Sequence, residues 1–370
     1  MNTKKCGGYG KLLVFFLVAA ILIFAFGLVA DGWQNDVENN SGNVTDDDKD
    51  NNDEADENKD AGNSSPEGEK APEPKPTLYN KLTGIPLEEG EADSRHVAFV
   101  IDTTAPLYGV SGADIIIELP TENGQTRLAV LTKSYTELGK LGAIAPTKGY
   151  INSVISYFDT AAVYFGKEGV REYKCFELGS SALDLSVNKG YHYTEFSSYN
   201  YSNGNLITAA LAAKNVDTLT PSSRLPFVFS KSEAIFGQKS AKTVVLPFSD
   251  YSETELYFRE TDKMYTFAKN ESVKQDLLTN ESISFKNVFV LFADAVTYED
   301  SLGCELILDT VGSGSGYYAS MGVYKEISWS VDEGGNLSFT NTDGSPLEVN
   351  PGTSYISYLK SSHKSKVSFN

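Results

Sequence analysis

Hydrophobic residues form one long run near the start of the chain and many short runs after residue 95. The long run, residues 12–30, contains 19 residues without a charge or a proline, and Lys4, Lys5 and Lys11 precede it. A helix needs about 20 apolar residues to cross a bilayer, and flanking lysines favour the cytoplasmic side. The pattern therefore predicts a cytoplasmic N-terminus at 1–11, a single membrane-spanning helix at 12–30 and an extracytoplasmic remainder.

A cleavable signal peptide is the alternative interpretation of this run. The apolar part of a secretory signal is usually shorter, about 7–15 residues, but Ala25-Phe26-Gly27 has the small-x-small pattern of a cleavage site. A lipoprotein anchor would need a cysteine at the end of the run, whereas Cys6 precedes it.

The short runs between residues 77 and 225 predict both strands and helices. Apolar stretches bounded by charged or turn residues predict strands at 96–102, 113–119, 126–132 and 161–165. Asn123-Gly124 predicts a hairpin between the second and third of these strands. Apolar or alanine-rich positions at helical spacing predict helices at 151–158 and 205–214.

After residue 226 the pattern is one of short strands, separated by turn residues at intervals of about 8–12 positions. The predicted strands are 243–248, 255–259, 263–267, 287–292, 304–308, 316–320, 325–330, 337–340 and 354–359. The glycine-rich stretch 312–316 is interpreted as a turn, and the segment around His363 as a frayed tail. The sequence thus predicts an α+β fold, with a mixed α/β domain at 77–225 and a mainly antiparallel β domain at 226–370.

Negative charge is concentrated before the predicted domains. The chain has a net charge of −19, and residues 31–76 contain 15 acidic residues against four lysines. Such a segment cannot bury enough apolar surface to offset its ordering entropy, which predicts a disordered acidic linker. The acidic balance also argues against a nucleic-acid partner, because phosphate binding needs a basic face.

The composition leaves few residues for metal, cofactor or nucleophilic chemistry. The chain has three histidines and three cysteines, and it contains neither a Gly-x-Ser-x-Gly motif nor a phosphate-binding loop ending in Lys-Ser/Thr. We therefore predict no metal site, no cofactor and no catalytic residue, which favours a non-enzymatic role.

Motifs in both halves carry a family resemblance. In the first half they are Leu82-Thr-Gly-Ile-Pro86 together with Asp102, Gly109, Ala113, Asp114, Glu118, Gly124, Thr126 and Arg127. In the second half they are Ser328-Trp329, Asp343-Gly344 and Asn350-Pro-Gly352. The pattern resembles the YerB-like family of bacterial lipoproteins, which carry a two-part domain of unknown function. The resemblance covers residues 79–359 and implies a two-part ectodomain without a defined activity.

The chain departs from the family pattern at basic positions. The family's Gly-Pro-x-Arg-Ser-x-Arg stretch corresponds here to residues 142–148, in which Ala145 replaces the first arginine and Lys148 the second. A family histidine in the next strand corresponds to Tyr164, and His192 matches a later histidine only loosely. A family site built on these residues would be altered in this chain.

Charged residues near the ends of the first strands form the first candidate site. Glu118 and Arg127 flank the predicted hairpin, so we expect a cross-strand ion pair between them. Asp102 ends a strand, where α/β sheets often place functional groups. Together with Asp114 and Lys148, these residues are predicted to line a polar cleft. In it, Arg127 would bind a carboxylate or a phosphate. A purely structural ion-pair cluster is the alternative.

A run of aromatic residues forms the second candidate site. Its rings belong to Tyr191, His192, Tyr193, Phe196, Tyr199 and Tyr201. Exposed rings beside amide groups suit flat ligands with polar edges, such as sugars or peptides. We include Tyr191, His192 and Tyr193 in the predicted ligand-binding set, with packing of the rings on the core as the alternative.

These observations favour a single-pass protein of the cell membrane whose domains lie outside the cytoplasm. Its predicted role is non-catalytic binding of a cell-wall polymer, a peptide or an envelope protein. One alternative is an enzyme that acts on wall or lipid-linked glycans through carboxylates and Lys148. The other is a structural subunit of an envelope complex.

Overall fold

The computed structural model describes residues 77–370, except 89–90, 170–174, 197 and 301–302. The predicted membrane helix at 12–30 and the predicted linker at 31–76 lie outside this part of the chain. Within the described residues, no helix has the length and hydropathy needed to cross a membrane.

The first half of the described chain contains eight short strands and two α-helices among the residues that can be described. The strands are β1 (Val97–Asp102), β2 (Ile115–Pro120), β3 (Thr126–Thr132), β4 (Leu141–Ile144), β5 (Ala161–Tyr164), β6 (Ala182–Asp184), β7 (Tyr193–Glu195) and β8 (Tyr199–Ser202). The helices are α1 (Gly149–Ser156) and α2 (Gly204–Ala213). The strands and helices predicted for this half are therefore confirmed to within a few residues.

The second half consists mainly of strands. They are β9 (Val228–Phe229), β10 (Lys239–Ser240), β11 (Thr243–Pro247), β12 (Glu253–Arg259), β13 (Met264–Lys269), β14 (Ser272–Val273), β15 (Gln275–Asp276), β16 (Glu281–Ser282), β17 (Ser284–Phe285), β18 (Asn287–Ala293), β19 (Ala295–Asp300), β20 (Gly303–Leu308), β21 (Ser313–Ser320), β22 (Val323–Val331), β23 (Leu337–Asn341), β24 (Glu348–Val349), β25 (Ser354–Lys360) and β26 (Ser368–Phe369). Short 3₁₀ helices occupy Glu122–Gly124, Ser134–Glu137, Gly179–Ser181 and Ser361–Lys366.

Fourteen of the described strands form one large mixed sheet. At its centre β25 lies between β18 and β2 and runs parallel to both, while β3 is antiparallel to its neighbours β2 and β1. Strands from both sides of residue 225 thus share one sheet. The domain boundary at that residue stays a prediction.

The two faces of this sheet are covered by different partners. On β1, Val97, Phe99 and Ile101 belong to an apolar cluster that also contains residues of a six-stranded sheet built from β11–β14, β17 and β26. Ala98 and Val100 belong to a second cluster, which contains the apolar residues of α1. Because both faces are buried, β1 reads in the sequence as a continuous apolar run rather than an alternating one.

Three local predictions for the second half and the hairpin need correction. Residues 313–316, interpreted as a turn, are the first half of β21, because strand pairing continues to Ser313↔Ser330. The segment around His363, predicted to be a frayed tail, instead packs against β11. His363 Nδ1 lies 2.9 Å from the Pro247 carbonyl oxygen, and β26 pairs with β11. The β2–β3 hairpin has a five-residue connection containing a 3₁₀ turn, not a two-residue Asn-Gly turn.

Candidate functional site

A polar cleft lies where β1 ends. Asp102 and Arg127 are direct partners across β1 and β3, so their side chains share one face of the sheet. This is the face covered by α1, because Val100 and Ala129 on it belong to the same apolar cluster as the helix. Three connections bring further charges to this edge: the turn after β2 carries Glu122, the residue before α1 is Lys148, and the segment after β5 carries Glu168.

Two ion pairs link these connections. Arg127 donates from Nη1 to Glu168 Oε2 at 2.9 Å and from Nη2 to Glu168 Oε1 at 3.3 Å, and it also donates to the Pro146 carbonyl oxygen at 2.9 Å. Lys148 Nζ lies 2.9 Å from Glu122 Oε2 and 3.8 Å from Glu168 Oε2. The carboxylate of Glu168 is therefore shared by both basic groups.

The exposure of these side chains differs in a way that bears on function. The Lys148 side chain is only 6% exposed, whereas the Glu168 side chain is 42% exposed. Partial burial raises the pKa of Glu168, but Arg127 and Lys148 outweigh it and hold that pKa below its usual value. Glu168 is thus ionised at neutral pH and remains accessible to solvent.

The cleft contains a cavity of about 220 Å³, to which Arg127 and Glu168 contribute. Its other lining residues include Asp102, Thr104, Thr121 and Glu122. Asp102 Oδ1 accepts hydrogen bonds from the Thr104 backbone and hydroxyl groups. Among the described residues, no cation forms an ion pair with Asp102, although Arg127 lies on the neighbouring strand.

Glu118 does not belong to this cleft, and the expected Glu118–Arg127 ion pair is wrong. The register pairs Glu118 with Leu128 and Arg127 with Leu119, which places the two charged side chains on opposite faces of the sheet. Glu118 is fully buried, and its oxygens accept hydrogen bonds from Lys269, Thr126, Thr254 and Tyr355 at 2.5–2.8 Å.

The environment of Glu118 still keeps it charged. Burial raises the pKa of this carboxyl. The ammonium of Lys269 and the surrounding hydrogen-bond donors lower it by more, so the pKa of Glu118 lies below its usual value. The pKa of Tyr355 is raised well above its usual value by burial and by the adjacent Glu118 carboxylate. Through its hydrogen bonds with Lys269 and Tyr355, the charged Glu118 carboxylate joins β2 to β13 and β25 inside the core.

Asp114 lies at the opposite end of the central strands. It precedes β2, and β1 and β2 run in the same direction, so about 20 Å of strand separates it from the Asp102 end. Its Oδ2 lies 3.1 Å from His96 Nε2, without the geometry of a hydrogen bond, and Oδ1 accepts a hydrogen bond from Asn80. Its contacts tie the segment before β1 to the sheet.

The aromatic residues form a third, separate group on β7, β8 and their connections. Tyr193 packs 6.3 Å from the buried ring of Tyr201, and His192 packs edge-on against Phe165 at 4.8 Å. Burial lowers the pKa of His192. Tyr191 packs against the main core, and its carbonyl oxygen accepts a hydrogen bond from Ser202.

Lys140 organises this aromatic group. Its Nζ lies 4.1 Å from the centre of the Tyr108 ring, 4.3 Å from that of Tyr201, and 2.6 Å from Glu195 Oε2. A cation over ring faces is a stabilising arrangement, and here the ammonium belongs to the chain itself. The rings therefore have an internal cationic partner.

The structure thus brings together Asp102, Arg127 and Lys148 from the predicted set. Asp114, Glu118 and the aromatic residues Tyr191, His192 and Tyr193 lie in other places. Sequence reasoning missed Glu122 and Glu168 as members of the cleft. Their only signals were an acid in the hairpin connection and an acid beside Gly166 and Gly169, which commonly mark exposed turns.

Two other observations limit the choice of site. Within the described part of the chain, no group of three or more His, Cys, Asp or Glu side chains is arranged to hold a metal ion. A larger groove of about 570 Å³, with Tyr79, Leu225, Phe227 and Phe229 among its lining residues, contains none of the predicted site residues.

Comparison with known proteins supplies the family. No curated protein matches the chain. The crystal structure of YerB protein from Bacillus subtilis matches with a TM-score of 0.65 at 20% sequence identity, covering 76% of this chain and 96% of YerB, which establishes a shared fold. Two sequence models of one family match residues 82–210 and 244–356, its N-terminal and C-terminal domains. The chain belongs to this family, described as protein of unknown function (DUF3048), and the YerB-like resemblance is confirmed.

Proposed function

We propose that this chain is a non-catalytic binding protein of the cell envelope, and that its cleft binds an anionic group of the ligand. Arg127 is the primary recognition residue, and Lys148 supplies the second positive charge. The ligand is a cell-wall polymer or an envelope protein that presents a carboxylate or a phosphate.

One observation carries this proposal: Glu168 forms a two-point contact with Arg127 while its side chain stays 42% exposed. A guanidinium matches the geometry of a carboxylate, so Glu168 occupies the position that a ligand anion would take. Because the Glu168 carboxylate reaches solvent, water can solvate it once it leaves Arg127, and the ligand anion then replaces it on the guanidinium, so the exchange leaves no buried charge unpaired. The basic groups are much less exposed and are held in place by Pro146 and Glu122.

The proposed location rests on the sequence. The apolar run at 12–30 behind three lysines supports a membrane anchor with the described residues outside the cytoplasm. Protease treatment of intact and lysed cells tests this orientation. Degradation of the described part in intact cells is expected, and protection there would contradict the proposal.

Binding is tested with the full-length chain in detergent and purified cell-wall sacculi. We expect saturable pelleting, which Arg127→Ala weakens by at least about tenfold, because charge-assisted hydrogen bonds contribute about 1.5–3 kcal/mol. Arg259→Ala is the matched control, since Arg259 forms an exposed pair with Asp262 outside the cleft. Tyr193→Ala is also expected to pellet normally, because Tyr193 lies in the aromatic group.

Three outcomes would contradict parts of this proposal. Equal pelleting of the Arg127→Ala and Arg259→Ala variants would exclude the cleft as the site. No pelleting by folded protein would exclude wall polymer, leaving protein partners to be sought by cross-linking on cells. Release of soluble wall fragments would support the enzyme alternative.

A further inference from the structure

The charge pattern of the cleft distinguishes between kinds of anionic ligand. The charged side chains that line its cavity are three acids, Asp102, Glu122 and Glu168, and one base, Arg127. Lys148 lies beside the cavity and pairs with Glu122 and Glu168. A ligand that brings only a carboxylate or a phosphate would add negative charge to a group that already carries an excess. A ligand that also brings a positive charge would not.

Asp102 is placed to receive that positive charge. It lines the same cavity as Arg127, and the two residues are direct partners across β1 and β3, which sets their Cβ atoms about 4.5–5.5 Å apart. The Arg127 side chain nevertheless binds Glu168. Among the described residues, Asp102 accepts hydrogen bonds only from Thr104 and forms no ion pair. Within the described part of the chain, Asp102 is therefore a half-buried carboxylate that has no ion-paired cation and lies next to Arg127.

The volume of the cavity limits how much of a ligand enters. About 220 Å³ is smaller than a typical small-molecule pocket of about 300–1,000 Å³. The cavity therefore accommodates one small end group, with its two charges a few ångströms apart.

We infer that the cleft binds a zwitterionic amino-acid unit, either free or at the end of a larger envelope ligand. Its carboxylate replaces Glu168 on Arg127 and approaches Lys148, while its primary ammonium binds Asp102. This inference rests on the proposed function and adds the chemical class of the ligand.

Three matched probes test the inference on the full-length chain in detergent, by ligand-observed saturation-transfer NMR. Alanine carries both charges, N-acetylalanine carries only the carboxylate, and alaninamide carries only the ammonium. We expect alanine to bind at least about tenfold more tightly than either of the other two, because each loses one charge-assisted contact. Arg127→Ala should abolish alanine binding, and Arg259→Ala should leave it unchanged.

Asp102→Asn examines the ammonium contact separately. It keeps the shape of the side chain and the acceptor for Thr104, so the fold should be retained. We expect this variant to bind alanine about as weakly as the unmodified chain binds N-acetylalanine. Its affinity for N-acetylalanine should equal that of the unmodified chain.

The outcomes separate this inference from the proposed function. Binding of N-acetylalanine as tight as that of alanine, and dependent on Arg127, would overturn the zwitterion inference while supporting anion binding. Arg127-dependent pelleting with sacculi, without binding of alanine, would also overturn the zwitterion inference and support anion binding. Failure of alanine, N-acetylalanine and sacculi alike would overturn both.

Discussion

Two carboxylates, Glu118 and Glu168, have basic partners in this molecule but very different surroundings. Glu118 is fully buried, and four side chains from β3, β12, β13 and β25 donate to its oxygens. Glu168 is 42% exposed, and the ion pairs that it forms with described side chains are those with Arg127 and Lys148. The first arrangement cannot change without opening the core, whereas the second can change by rotation of one side chain.

The comparison shows why ion pairing alone does not identify a binding site. Both acids have lowered pKa values, and both lie within 3 Å of a cation. What separates them is the cost of replacing the carboxylate by one from a ligand. That cost is large where all donors are buried and small where one partner reaches solvent.

The largest effect is expected when the buried pair is broken. Glu118→Gln leaves the Lys269 ammonium without a counter-charge in the core, and such a loss typically costs about 3–5 kcal/mol. Urea unfolding followed by tryptophan fluorescence, to which buried Trp329 contributes, measures it. The double variant Glu118→Leu/Lys269→Met should recover much of this loss because it removes both charges. A Glu118→Gln variant as stable as the parent would show that the pair is not structural.

A smaller effect of opposite sign is expected in the cleft. Glu168→Gln removes the internal competitor for Arg127, so binding to sacculi should tighten by up to about fivefold, or about 1 kcal/mol, because the carboxylate of this pair is open to solvent. The control is Glu260→Gln, which also removes an exposed acid with lysine partners, Lys242 and Lys263. Weaker binding of the Glu168→Gln variant would mean that Glu168 itself contacts the ligand.

The smallest effect concerns mild acid. The folded-state pKa of Glu118 lies below the usual value of 4.5, so its ionisation stabilises the fold above that value and the contribution is lost as the pH falls through the folded-state pKa. Between pH 7 and about pH 5 the loss from this group should stay below about 0.5 kcal/mol and then grow. Melting temperatures across this range measure it. An equally steep acid loss in the Glu118→Gln variant would assign the effect to other carboxyls.

The strands of the central sheet were predictable because burial on both faces leaves an uninterrupted apolar run. β3 was predicted at its observed bounds, and β1 within one residue. The same pattern does not specify which residues pair across the strands. The pairing of Glu118 with Leu128, and not with Arg127, depends on the five-residue connection between β2 and β3. One step of register moves a side chain to the other face.

The cleft was predictable only in part for a related reason. Asp102, Arg127 and Lys148 stand out as charges beside apolar runs. Glu168 reaches them because residues 147 and 166–168 exchange backbone hydrogen bonds, with Thr147 N donating to Gly166 O and Glu168 N donating to Thr147 O. Lys269 reaches Glu118 across 151 positions of the chain. No local pattern records such contacts, because they depend on how separate elements pack.

The position of β25 has a consequence for the order of folding. This strand fills the gap between β18 and β2, and Tyr355 contacts Glu118 across 237 positions of the chain. Contacts so distant in sequence slow folding, because a long loop must close first. Until residue 360 is available, β2 and β18 each present an unpaired edge to which another chain could add. A chain shortened by only a few dozen residues at its end would therefore be prone to aggregate instead of folding into a smaller domain.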